Sequence, residues 1–169
     1  AQVTSGWDIT SSNSIGTPCY IYTTEGAALS RLYSSTAGAA WYSKTNWMSG
    51  DACTADWFGV TCPAGEITQL SLGTNNLAGT LPTQLGSLTA LTTGGCTCDG
   101  GPGTGGFSAN DLSGTLPSEL GRMTAMRTTI YFHANSLSSS IPTEIGRWSL
   151  SELLTLYSNA LAGPIPTQL

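Results

Sequence analysis

Along the second half of the chain apolar residues come in short alternating bursts, and the bursts recur. Leu70 and Leu72, Ile130 and Phe132, and Leu154 and Leu156 each flank one polar position, the period of a strand with one buried face. An asparagine follows each burst at a fixed offset, at Asn75, Asn135 and Asn159, and Asn110 stands in the same register behind Phe107. Six residues after these asparagines come Leu81, Leu116, Ile141 and Ile165, each followed by Pro82, Pro117, Pro142 or Pro166. The shared pattern is L-x-L-x-x-N-x-L-x-G-x-[LI]-P-x-x-[LI]-G-x-[LMW]. It predicts one short strand per unit, stacked in parallel on its neighbours, because a lone strand of this length cannot bury its apolar face. The prolines forbid a regular helix after the strand, so short strands and 3₁₀ turns are expected on the other faces. Each asparagine sits where the chain leaves its strand and is expected to bond the backbone of a neighbouring turn, at about 1–3 kcal/mol for each one lost. Upstream the period changes: Glu25, Ala28, Leu29, Leu32, Tyr33 and later Trp41 are spaced like an amphipathic helix, with Thr23 or Thr24 as its N-cap.

These motifs resemble the plant-specific leucine-rich repeat, the form with L-x-G-x-[LI]-P after the asparagine, found in plant receptor ectodomains, polygalacturonase-inhibiting proteins and related protist and algal secreted proteins. The match runs over Ile67–Leu169. Residues 28–62 resemble the cap that precedes such repeats, ending in C-x-x-x-W-x-G-V-x-C at Cys53, Trp57, Gly59, Val60 and Cys62. The resemblance implies an α/β solenoid: a right-handed superhelix with a parallel concave β-sheet, short strands and 3₁₀ turns elsewhere, and an α-helical N-terminal cap. It also implies a disulfide between Cys53 and Cys62. The expected organisation is an N-terminal arm at 1–23, the cap at 24–66 and about four repeats at 67–169.

The asparagine spacing exposes an irregularity. Asn75 to Asn110 is 35 residues, against 25 and 24 for the next two intervals, so the second unit carries about ten extra residues in a glycine-rich insertion near 92–104. Gly101 to Gly106 formally fits the G-x-G-x-x-G nucleotide fingerprint. Those glycines lead into a strand near Phe107 instead of opening a helix, which excludes a dinucleotide turn. Cys96 and Cys98 lie in the insertion. A zinc site would need two further ligands, and His133 is the sole histidine, so no metal and no cofactor are expected. A disulfide staple is the simpler reading, either Cys96 to Cys98 or one of them joined to Cys19, and five cysteines leave one over.

Charge narrows the function. Only 9% of the 169 residues are charged, with a net charge of −5 and five Lys and Arg in all, so nucleic acid is not a partner. Ser and Thr make up roughly a quarter of the chain. With five cysteines this suits an oxidising, extracellular compartment, and Ala1 reads as a residue left by signal cleavage. No apolar run approaches a membrane span, and no N-x-[ST] sequon occurs. Glu119 and Glu144 share one repeat position with Gln84 and Gln168 and read as solvated, and His133 has no nucleophile beside it, so no catalytic residue is assigned.

The register places Gln69, Ser71 and Gly73, then Thr104, Gly106 and Ser108, then Thr129, Tyr131 and His133, then Leu153, Thr155 and Tyr157 outward on the expected concave sheet. None is charged. Gln69, Ser71, Thr129, Tyr131, His133, Thr155 and Tyr157 form the candidate binding face for a protein or carbohydrate ligand. A secreted, non-enzymatic recognition or scaffold module is the first reading. Head-to-tail assembly of copies into a fibre or cell-surface layer, through an uncapped last repeat, is an alternative of a different class. Ice binding is a lesser one, since the outward residues vary where a lattice wants uniformity.

Overall fold

The computed structural model describes residues 8–12, 18–21, 24–93, 106–149 and 151–169. In the expected arm, β1 (Asp8–Ser12) and β2 (Pro18–Ile21) pair antiparallel. Helix α1 (Thr24–Ser35) then buries Ala28, Leu29 and Leu32 along one stripe. Its hydroxyls fold back on the helix: Ser30 Oγ donates to the Gly26 carbonyl at 2.9 Å and Thr36 Oγ1 to the Leu32 carbonyl at 2.6 Å. Ala37, left-handed at φ 53°, ends the helical run. Trp41 therefore lies beyond a short 3₁₀ turn (Gly38–Ala40) and not on the helix, contrary to the spacing-based expectation. It is still buried, and Tyr33, Trp41, Trp47 and Trp57 pack ring against ring with centroids 4.7–5.8 Å apart. Each indole N–H finds a carbonyl: Trp41 at Thr36, Trp47 at Phe58 and Trp57 at Ser49.

This cap closes the edge of the repeats. Strand β3 (Val60–Thr61) pairs antiparallel with β4 (Gln69–Leu70), the Ser71 N–H reaches the Gly59 carbonyl at 2.8 Å, and the disulfide Cys53–Cys62 spans 5.4 Å between Cα atoms. Beyond it the repeats form two parallel ladders. The second is the more regular: β5 (Ala78–Thr80), β6 (Asp111–Gly114), β8 (Ser136–Ser139) and β10 (Ala160–Leu161) make one four-stranded sheet from the residues after each asparagine. In the first ladder β4, β7 (Thr129–Tyr131) and β9 (Leu153–Thr155) are the strands among the described residues, and β7 and β9 pair in parallel. Backbone bonds continue across it all the same. Leu72 N–H meets the Gly106 carbonyl, Phe107 N–H that of Tyr131, and Phe132 N–H that of Thr155, at 2.7–3.0 Å.

The third face is a row of 3₁₀ turns at Thr83–Ser87, Ser118–Arg122 and Thr143–Arg147, each opened by a proline with φ between −79° and −63°. Leu85, Leu120 and Ile145 point inward from these turns. The glycine after each is a close approach: a Cβ on Gly86 or Gly121 would run into the backbone carbonyl of Glu119 or Glu144 in the following turn. Between the ladders lies a continuous core that includes Leu70, Leu72, Leu77, Leu112 and Leu137, all fully buried, and Phe107 stacked on Phe132 at 5.4 Å.

Candidate functional site

The first ladder positions the candidate binding face, and the asparagines fix the ladder. Asn110 Oδ1 accepts the N–H groups of Asn75 and Leu77, while its Nδ2 donates to the carbonyls of Leu72, Phe107 and Ser108. Asn135 repeats the arrangement with the Leu112 N–H and the Phe107 carbonyl, and Asn159 with the Leu137 N–H and the Phe132 carbonyl. Asn75 has the cap on its far side and exchanges two bonds with the Ser43 backbone, at 2.6 and 2.8 Å. The residue before each asparagine, Thr74, Ala109, Ala134 or Ser158, is left-handed with φ of 52–54°. That corner turns the chain off one ladder towards the other.

On the outward side Gln69, Ser71, Thr129, Tyr131 and Thr155 are half-buried, and Tyr157 is 63% exposed. Gly106 and Ser108 are buried, and Thr104 lies outside the described residues. His133 departs from the expected surface position: it is only 6% exposed. The reason is the size of its neighbours. Its ring stacks on Tyr157 at 4.4 Å and 13°, meets Tyr131 edge-on at 5.8 Å, and its Nδ1 shares a 2.9 Å hydrogen bond with Thr155 Oγ1. Leu153, at the start of the same outward row, is 53% exposed.

The proposed pairings of Cys96 or Cys98 with Cys19 fall outside the described residues and side chains. Glu119 and Glu144 are half-buried on their 3₁₀ turns. Among the described residues no three or more His, Cys, Asp or Glu side chains gather as metal ligands, and no helix is long and apolar enough to cross a membrane.

Glu25 is a residue whose role sequence reasoning did not reach. Its Oε2 accepts the Ile67 N–H at 3.4 Å, tying α1 to the first repeat. Burial pushes its carboxyl above the ordinary value of 4.5, the Ile67 bond opposes this, and the Glu66 and Asp51 carboxylates add to the rise. The available signal was an acid on the apolar stripe, three, four and seven residues before Ala28, Leu29 and Leu32.

Two parallel ladders joined by asparagine corners, a row of 3₁₀ turns and a disulfide-closed helical cap define a leucine-rich-repeat solenoid. No family model and no curated protein matches the sequence. Solved structures do. PEPR1, in the PEPR1–AtPEP1 complex, is similar with a TM-score of 0.67 and 25% identity over 86% of this chain, which covers 19% of that one. RGFR1, a plant peptide hormone receptor in complex with RGF2, gives a TM-score of 0.50 and 30% identity over 67% of this chain and 19% of its own. The ectodomain of the receptor kinase SOBIR1 from Arabidopsis thaliana gives 0.60 at 20% identity, over 83% of this chain and 70% of that one, a likeness of fold alone. The chain is a plant-type leucine-rich repeat protein with an N-terminal cap.

Proposed function

We propose that the chain is a non-enzymatic recognition module of an extracellular protein, binding a protein or peptide partner on the outward face of the first ladder. In the right-handed superhelix expected for such repeats, that face is the concave one. The observation that carries the reading is the cluster of Tyr131, His133, Thr155 and Tyr157: ring and hydroxyl surface with no formal charge, fixed by its own contacts. Rigid amphipathic side chains of this kind give contact area at low entropic cost. Support also comes from PEPR1 and RGFR1, both found in complexes, the latter a peptide hormone receptor. The Cys53–Cys62 disulfide suits an oxidising compartment. Ice binding is disfavoured because equivalent outward positions read Ser71, Tyr131 and Thr155, with no repeated lattice.

The test is selection of a displayed random-peptide library against the whole chain, followed by titration of enriched peptides. Binding should be lost in the double variant Tyr131→Ser, Tyr157→Ser and kept in Asp111→Ala on the second ladder. Enriched peptides that ignore the double variant, or no enrichment at all, would defeat this reading.

A further inference from the structure

On the outward face the two tyrosines sit on neighbouring strands in a diagonal relation. The β7–β9 register sets Tyr131 beside Thr155, so Tyr157 is one strand across and two residues along. With strands about 4.8 Å apart and about 3.3 Å per residue, that diagonal is about 8 Å. One three-residue turn of a polyproline II helix is about 9 Å long. His133 fills the space between the tyrosines, edge-on to one and stacked on the other, and is held by the Thr155 hydroxyl. Tyr157 thus has one ring face against the imidazole while remaining 63% exposed. A ring fixed in advance loses little freedom when a ligand lies on it.

Charge and hydrogen bonding select the ligand. Gln69, Ser71, Thr129, Tyr131, His133, Leu153, Thr155 and Tyr157 include no carboxylate, ammonium or guanidinium. The nearest such side chains in sequence, Arg127 and Glu152, stand exposed where the strands begin, at the end away from Tyr157. A charged ligand group over the tyrosines would lose water without gaining a counter-charge. Two of the polar side chains beside Tyr157 are already engaged, Asn159 with the Leu137 N–H and the Phe132 and Leu156 carbonyls and Thr155 with His133, which leaves the exposed Ser158 hydroxyl and those of the tyrosines. A saccharide would therefore cover its hydroxyls against few free partners. Proline brings a flat apolar ring and no N–H to leave unpaired, and aromatic surfaces take up polyproline II segments for that reason.

We infer that Tyr131 and Tyr157 form a subsite for an uncharged polyproline II segment with prolines three residues apart, and that His133 is the positioning residue that holds Tyr157 flat. The inference rests on the first-ladder face being the recognition surface.

The experiment titrates acetyl-(Pro-Ala-Ala)₃-amide into the ¹⁵N-labelled whole chain, with cellohexaose and a version carrying Lys for the second Ala of each triplet as comparisons. Shift changes should centre on residues 131–133 and 155–157, and Tyr157→Ala or Tyr131→Ala should weaken binding about tenfold. Tyr157→Phe, which keeps the ring, should bind as the parent does. His133→Ala should weaken binding and His133→Phe restore it, since a stacked ring is what the position supplies. Equal binding of the lysine version, a cellohexaose response at Tyr157, or proline-probe shifts away from the tyrosines would each overturn the subsite. So would no response at millimolar probe. If library peptides of another composition still bind in a ladder-dependent way, the subsite falls and the recognition reading stands; if none does, both fall.

Discussion

Replacing Asn110 by Ala tests the account of the ladders most directly. Its carboxamide accepts two N–H groups, from Asn75 at 3.0 Å and Leu77 at 2.9 Å, and donates to three carbonyls. Asn75 and Leu77 are both buried, so water cannot replace the lost acceptor without opening the turn. A buried donor left unpaired costs about 1–3 kcal/mol, and two of them place Asn110→Ala at about 4 kcal/mol. Asn159 accepts one N–H, from Leu137, on a last turn where Leu161 is only half-buried, so Asn159→Ala should cost about 1 kcal/mol. Urea denaturation followed by tryptophan fluorescence reads the difference: with a slope of about 2 kcal/mol per molar, the midpoint should fall by about 2 M for Asn110→Ala. Hydrogen exchange should show the Asn75 and Leu77 amides losing protection first. Equal losses for the two variants, or a loss below about 1 kcal/mol for Asn110→Ala, would refute the orphaned-donor reasoning.

The same structure yields further expectations. Gly121→Ala drives a methyl into the Glu144 carbonyl of the next 3₁₀ turn and should destabilise by about 1–3 kcal/mol, read as a lowered melting temperature. Ser139 occupies the glycine position of its repeat with φ 71°, so Ser139→Gly should raise stability by about 0.5–1 kcal/mol in the same assay. Burial raises the pKa of Glu25 above 4.5, so the folded state holds that proton more tightly than the unfolded chain. Its contribution is then most favourable below 4.5 and declines as pH rises towards the raised value. Glu25→Gln keeps an acceptor for Ile67; it should flatten that slope and melt higher than the parent at neutral pH, and an unchanged slope counts against the assignment. Phe132→Ala should cost about 3–5 kcal/mol as a buried ring, whereas Tyr157→Ala should stay within about 0.5 kcal/mol; equal losses would make the outward stack structural.

What was legible in the sequence was whatever a single backbone requirement dictates. Proline before each 3₁₀ turn, glycine where turns approach, leucine under the strands and asparagine at the corners recur because the same geometry recurs. The left-handed corners were not legible. Thr74, Ala109, Ala134 and Ser158 hold φ above 50° with residues that do not favour it, because the adjoining ladder bonds and asparagine contacts fix the corner from outside. Trp41 was misplaced for the opposite reason. Its apolar character was real, but Ala37 breaks the helix that the spacing assumed would continue. Burial of His133 follows from the rings of Tyr131 and Tyr157 on either side, a property of three positions on two strands that one strand's alternation does not carry.

The two faces of the third strand make the division between fold and function concrete. Phe132 turns inward and stacks on Phe107 at 5.4 Å and 2°; its neighbour His133 turns outward and stacks on Tyr157 at 4.4 Å and 13°. Both stacks cross from one repeat to the next, yet only the inward one lies within the core. Asparagine amides and backbone bonds already set the strand spacing. The outward residues are thereby released from holding the turns together and can differ at every repeat, as Ser71, Gly106, Tyr131 and Thr155 do. A ladder fixed by its backbone and its interior can therefore present chemically distinct rungs, and among the described outward positions of the first ladder the aromatic rings, Tyr131, His133 and Tyr157, fall on the third and fourth turns.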